Sequence, residues 1–147
     1  MYPLLLEPPV KDYLWGGTRL KTDYHFKTDK EKAAEAWVLS CHKDGADTVT
    51  NGELAGKTLP EVIELWGDKA LGKNAAAFPF FPLLIKLIDA KDRLSVQVHP
   101  DDDYALKNEG EFGKTEMWYV VDCDDGAELI YGFNREVSRE ELERRIK

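Results

Sequence analysis

Two potential metal donors, Gln97 and His99, stand two residues apart in Leu94-Ser95-Val96-Gln97-Val98-His99, and a carboxylate, Glu116, follows in Lys114-Thr115-Glu116. In an extended chain, successive side chains point to opposite faces. Ser95, Gln97 and His99 then share one face, while Leu94, Val96 and Val98 share the other and are expected to enter a core. Imidazole nitrogen and carboxylate oxygen are ordinary zinc ligands, and a neutral amide oxygen can add a third donor. Glu116 supplies negative charge for a dication. The three residues are therefore expected to hold one divalent metal, with zinc the metal that suits this donor set. The plainer alternative is a solvent-facing polar strand, with His99-Pro100-Asp101-Asp102-Asp103 serving only as a turn and helix cap.

Four further positions suit chemistry beside such a site. Lys86 lies in the apolar run 78–88, on the face shared by Leu84 and Ile88, so its ammonium must snorkel, pair or serve a site. Lys114 stands two residues before Glu116 and points to the same side. Ser95 shares the face of Gln97 and His99 and can hydrogen-bond a phosphate or a sugar hydroxyl, or simply line a barrel. Trp15 can wall a sugar site or pack in a core.

The elements that would position these residues are mostly β. Turn signals recur at Gly16-Gly17, Asp44-Gly45, Asn51-Gly52, Gly72, Asn108-Glu109-Gly110 and Asp125-Gly126, with short apolar runs between them. Leu94 to His99, Thr115 to Val121 and Glu128 to Phe133 read as strands. Thr58-Leu59-Pro60-Glu61 reads as a capping box opening a helix that ends at Gly67 or Gly72. Ser138-Arg139-Glu140-Glu141 opens a second helix, and a short helical turn is expected from Asp101 to about Lys107. Lys30 to Trp37 is ambiguous: Lys-Glu-Lys-Ala-Ala-Glu-Ala favours helix, whereas Trp37-Val38-Leu39 favours strand. The switch is placed near Ala34.

The chain has 147 residues, consistent with one domain, and carries a net charge of −8 from 20 basic and 28 acidic residues. That balance argues against nucleic acid or an anionic membrane as partner. An anionic substrate would need positive charge concentrated locally. Cys41 and Cys123 fit no metal or redox motif and are expected to be reduced. No apolar run approaches a membrane span, the start shows no secretory signal pattern, and a cytoplasmic setting is expected.

The segment Gln97-Val98-His99-Pro100-Asp101-Asp102-Asp103-Tyr104-Ala105 resembles the metal motif of type I mannose-6-phosphate isomerases. Gly113-Lys114-Thr115-Glu116-Met117-Trp118-Tyr119 resembles the second motif of the short bacterial members. Trp15-Gly16-Gly17, Glu35-Ala36-Trp37 with Ser40, Asn51-Gly52 and the run from Phe81 to Lys86 match in order and spacing. The resemblance implies a mainly β fold with α insertions, a cupin-like jelly-roll barrel incomplete at the C-terminal side. It implies a single amino-terminal metal-binding domain over 1–147, a helical insert near 58–72, and no second barrel.

The implied activity is zinc-dependent interconversion of mannose 6-phosphate and fructose 6-phosphate. Gln97, His99 and Glu116 are the implied ligands of one zinc ion. From the residues themselves, Lys114 and Lys86 are expected to be catalytic lysines, and Ser95 and Trp15 substrate contacts. A distal fourth histidine and a later arginine have no counterpart, since His25 and His42 lie upstream. Residues 1–147 alone are thus expected to bind metal weakly, to self-associate through unpaired strand edges, and to turn over hexose 6-phosphate slowly. The rival reading is a non-catalytic metal or sugar-phosphate-binding cupin module. A third is another cupin metalloenzyme such as an oxygenase.

Overall fold

Trp37-Val38-Leu39 is β-branched and aromatic at the centre of a run that forms the longest strand, β3 (Glu35–His42). The computed structural model describes residues 1–147, apart from the side chains of Ala76 and Ala77. The chain divides into two compact units, Met1–Leu94 and Ser95–Lys147.

In the first unit, β1 (Leu6–Glu7) pairs with β5 (Thr48–Val49), forming a separate two-stranded ribbon. β2 (Val10–Lys11), β3, β4 (Gly45–Ala46) and β6 (Leu84–Ile88) form an antiparallel sheet in which β3 contacts all the others. The register sets Ala36 opposite both Val10 and Leu87, and Trp37 opposite Lys86. Alternation then separates two faces. Ala36, with Leu20 and Ala33, makes a core against which Val10, Phe26, Val38 and Leu87 pack. Glu35, Trp37 and Lys86 lie on the opposite face.

The expected helical start at Lys30–Ala34 does not form. Tertiary bonds override the helix propensity there: the Ala33 N–H donates to the Gly17 carbonyl at 2.9 Å and the Ala34 N–H to Lys11 at 2.8 Å, and both alanines are fully buried. The strand begins at Glu35, next to the expected switch.

Gly16-Gly17 belongs to the same packing. A Cβ on Gly16 would lie 2.4 Å from the Ala34 Cβ and 2.7 Å from its Cα. This backbone-on-backbone approach lets the Gly17 N–H reach the Asp89 carbonyl at 3.0 Å, while the Lys91 and Asp92 N–H groups reach the Trp15 carbonyl. Asn51 ties down the N-terminal segment, accepting from the Leu5 N–H at 2.8 Å and donating to the Pro3 carbonyl at 3.0 Å.

The short helix α1 (Arg19–Thr22) follows the glycine pair. The expected helix at 58 is α2 (Leu59–Trp66), continued by α3 (Asp68–Leu71). One oxygen of Glu61 accepts from both the Thr58 N–H and the Thr58 hydroxyl at 2.7 Å, the reach-back half of the capping box. Leu59 and Val62 are the buried face of α2.

In the second unit, the two expected helices are α4 (Asp102–Asn108) and α5 (Arg139–Ile146), capped by Asp101 and Ser138 side chains. The three segments expected as strands, Leu94–His99, Thr115–Val121 and Glu128–Phe133, form no paired strand among the described residues. Nor do Val96 and Val98 enter a core: they are 69% and 90% exposed. A strand needs a neighbouring ladder at about 4.8 Å and a layer to cover its apolar face. Neither is present among the described residues of this unit.

Cys41 and Cys123 are both free thiols, and burial pushes Cys41 up to about 11. Asp47 is fully buried; one carboxylate oxygen accepts from the Ser40 N–H at 2.6 Å, while Oδ1 has no hydrogen-bond partner.

Two predictions follow from this packing. Gly16→Ala forces a methyl group against the Ala34 backbone and is expected to lower stability by roughly 1–3 kcal/mol, read from denaturant unfolding. Burial raises the Asp47 pKa from 3.8 to about 6. Folding therefore favours the protonated acid, and this contribution is present at acid pH and lost as pH rises through about 6. Asp47→Asn is expected to gain in melting temperature relative to the parent as pH is raised from about 4 to about 7. A difference that stays constant with pH refutes this.

Candidate functional site

The His-Pro-Asp-Asp and Gly-Lys-Thr-Glu segments are brought together by a small set of bonds around the start of α4. Asp101, in extended conformation, caps the helix by accepting from the Tyr104 N–H at 2.9 Å. The next side chain, Asp102, accepts from the Gly113 N–H at 2.9 Å, and the Lys114 N–H reaches the Pro100 carbonyl at 3.3 Å. Gly113 is required by contact: a Cβ there would sit 2.5 Å from the Asp101 carbonyl carbon.

This clamp delivers Glu116 to His99. The His99 Nε2 and Glu116 Oε2 lie 3.2 Å apart, and Lys114 Nζ lies 3.1 Å from the other oxygen, Oε1. Burial pushes the Glu116 pKa up, but hydrogen bonds from Lys114 and Trp118 and the charges of Lys114 and His99 outweigh it. The carboxyl is held below its ordinary range. The group is thus an anion across the neutral range. Gln97 and Ser95 meet each other instead, the amide donating to the Ser95 hydroxyl at 3.2 Å.

Donors bound tetrahedrally to zinc at about 2.0–2.2 Å are separated from each other by about 3.3–3.6 Å. His99 and Glu116 lie 3.2 Å apart, a hydrogen-bonding distance a little shorter than that separation. Among the described residues no group of three or more His, Cys, Asp or Glu side chains is arranged to hold a metal. The sequence names the amide of Gln97 as a further donor.

The other expected site residues lie in the first unit. Lys86 neither snorkels nor stands free: its ammonium donates to Glu35 Oε2 at 3.0 Å and lies 4.7 Å from the centre of the Trp37 ring. Trp15 is half-buried, and its ring stacks on Tyr13 at 5.4 Å, while its backbone carbonyl receives residues 91 and 92.

Two partners were not singled out from the sequence as site residues. Trp118 shares a face with Lys114 and Glu116 by alternation, but its bond to the Glu116 carboxylate is visible only in the structure. Glu35 carried a signal, an acid two residues before a tryptophan in a strand, which places the carboxylate beside the indole N–H.

The model of phosphomannose isomerase type I, catalytic domain, matches residues 4–125. The "Probable mannose-6-phosphate isomerase GmuF" of Bacillus subtilis is 48% identical over 150 residues, covering 99% of this chain and 45% of that protein. The mannose-6-phosphate isomerase of Streptococcus mutans is 44% identical, covering 98% of this chain and 44% of that protein. The crystal structure of the mannose 6-phosphate isomerase from Bacillus subtilis superposes with a TM-score of 0.76 at 42% identity, covering 86% of this chain and 40% of that one. The chain thus spans less than half the length of these relatives. The structural likeness bears out the mainly β, cupin-like fold class. With the family model spanning most of its length and both motif segments clamped together, the chain belongs to the type I phosphomannose isomerases, in their catalytic domain.

Proposed function

We propose that this chain supplies the metal-binding part of an aldose–ketose isomerase that interconverts mannose 6-phosphate and fructose 6-phosphate. The observation that carries this reading is the pair His99–Glu116 at 3.2 Å, with Lys114 at 3.1 Å on the other carboxylate oxygen. Membership of the type I family supports it. The reaction moves a proton between C1 and C2 of an open-chain sugar, and negative charge builds on the sugar oxygens as the proton leaves.

In this reading His99 and Glu116, with Gln97 as third donor, hold one zinc ion. When bound there, a dication supplies Lewis-acid stabilisation to that developing charge. The chain's own groups do the rest. Glu116 balances part of the ion's charge and is fixed by Lys114 and Trp118. The Lys114 ammonium, held at the same carboxylate, offers a point charge to a substrate oxygen. Ser95 orients Gln97 and offers a hydroxyl to the sugar or its phosphate. Lys86 and Trp15 serve substrate binding in the same proposal.

The hexose 6-phosphate is the proposed partner. At a net charge of −8 the chain is not proposed to bind nucleic acid. No helix among the described residues is long and apolar enough to cross a membrane, and a cytoplasmic setting is proposed. Val98, Met117, Tyr119 and Tyr131 are 83–93% exposed. Apolar side chains presented on unpaired extended segments favour self-association. A module that binds metal and sugar phosphate without turnover is the second reading.

The test is a coupled assay of mannose 6-phosphate turnover with added zinc, alongside zinc titration and size-exclusion chromatography. Zinc binding with turnover supports the isomerase. Zinc binding without turnover selects the module, and no zinc binding refutes both. Gly113→Ala pushes the two motif segments apart without touching a donor atom. It is expected to weaken zinc binding about 10–100-fold, the range seen when supporting contacts behind ligands are lost. Unchanged zinc affinity in that variant would show that the clamp does not set the His99–Glu116 spacing.

A further inference from the structure

Trp37 stands at the centre of a charge cluster on the face of the β2–β3–β6 sheet opposite Ala36. The indole is 6% exposed. Its N–H donates to Glu35 Oε2 at 2.7 Å, and the Lys86 ammonium donates to the same oxygen at 3.0 Å. Lys86 also lies 4.7 Å and Lys11 4.5 Å from the ring centre. The edge of His42 meets the ring at 5.5 Å. Strand register accounts for the set: Lys11 is opposite Glu35 and Trp37 is opposite Lys86. Lys11 is tied elsewhere as well, donating to the Asp44 carbonyl at 2.6 Å.

Glu35 is itself buried, at 7% exposure. A carboxylate loses solvation by being there, and the loss is tolerable only when the charge is paired and hydrogen-bonded. One oxygen meets both conditions. It is held in place by a rigid indole, and it in turn holds the end of a flexible lysine. A free lysine side chain has large rotamer entropy, which is lost whenever the ammonium must be in one place. Here that ordering is done in advance by the fold, because the indole, the carboxylate and the ring face all define the same ammonium position.

We propose that Glu35 is a positioning residue for Lys86, fixing the lysine through the Trp37 indole so that its charge meets a phosphate or sugar oxygen already in place. This rests on the reading of Lys86 as a substrate-contacting lysine of an isomerase. Glu35 does not touch the substrate in this account. It acts only through Lys86.

The experiment uses the full chain with Glu35→Gln, Lys86→Gln and the double variant. One arm measures the acetylation rate of Lys86 by mass spectrometry, native against urea-unfolded, with exposed Lys91 as reference. The other measures kcat and KM for mannose 6-phosphate with added zinc. In the parent, Lys86 is expected to acetylate at least tenfold slower when native than when unfolded, and Glu35→Gln to abolish most of that protection. Both single variants are expected to lower kcat/KM at least tenfold, and the double variant no further, with melting temperatures close to the parent. Native and unfolded Lys86 reacting at equal rates in the parent overturns the proposal, and that measurement needs no variant to fold. Continued protection in Glu35→Gln, or loss of kcat/KM in Lys86→Gln alone, overturns it too while leaving the isomerase reading intact. If no protein turns over substrate, the isomerase reading fails by itself. The acetylation arm then still decides whether Glu35 fixes Lys86.

Discussion

Contact between backbones at glycine is the constraint on which both units depend. At Gly16 the chain passes so close to Ala34 that a single methyl group does not fit. That approach permits the bonds from Ala33 to Gly17 and from Gly17 to Asp89, which lock the start of the chain, the entry to β3 and the exit of β6 together. At Gly113 the same device operates against Asp101, and the result is the meeting of His99 and Glu116. In each case a glycine inside a recognisable motif does steric work, while neighbouring side chains carry the charge.

The second recurring theme is one carboxylate serving several donors. Glu116 faces His99, Lys114 and Trp118, and Glu35 faces Trp37 and Lys86. Each pairs a lysine with a tryptophan on one acid. For Glu116 the cationic neighbours favour the ionised form, the form a metal ion requires of its ligand. For Glu35 the indole limits where the acid can move. Asp47 is the contrast: buried with one oxygen unmatched, it is pushed toward neutrality.

Local signals in the chain were legible where local chemistry decides. The capping residues Thr58, Asp101 and Ser138 each open a helix as read, since a cap is a contact between near neighbours in sequence. Ser95 and Gln97, set on one face by alternation, are hydrogen-bonded at 3.2 Å, and Glu116, singled out through the motif resemblance, lies 3.2 Å from His99. What failed was anything that depends on a distant partner. Lys30–Ala34 has helix composition, yet the Ala33 and Ala34 amides go to Gly17 and Lys11. Leu94–His99 alternates like a strand, yet alternation describes only what a strand needs, not whether a ladder and a covering layer are there. The Glu35–Lys86 bond depends on the β3–β6 register, which no stretch of sequence displays.

Helix α5 has a different kind of stability from the rest. Arg139 pairs with Glu143 at 3.0 Å, Arg145 with Glu141 at 3.0 Å, and Arg135 reaches back to Glu141. No residue of the helix is buried. Exposed pairs of this kind contribute little and are screened by added salt. An eight-residue helix resting on them opens and recloses by itself, well below the cost of unfolding the β3 core. Its amides therefore exchange with solvent deuterium early, and faster as ionic strength rises, while those of β3 remain protected. The helix is a local opening unit whose equilibrium follows the salt concentration and not the packing of the core.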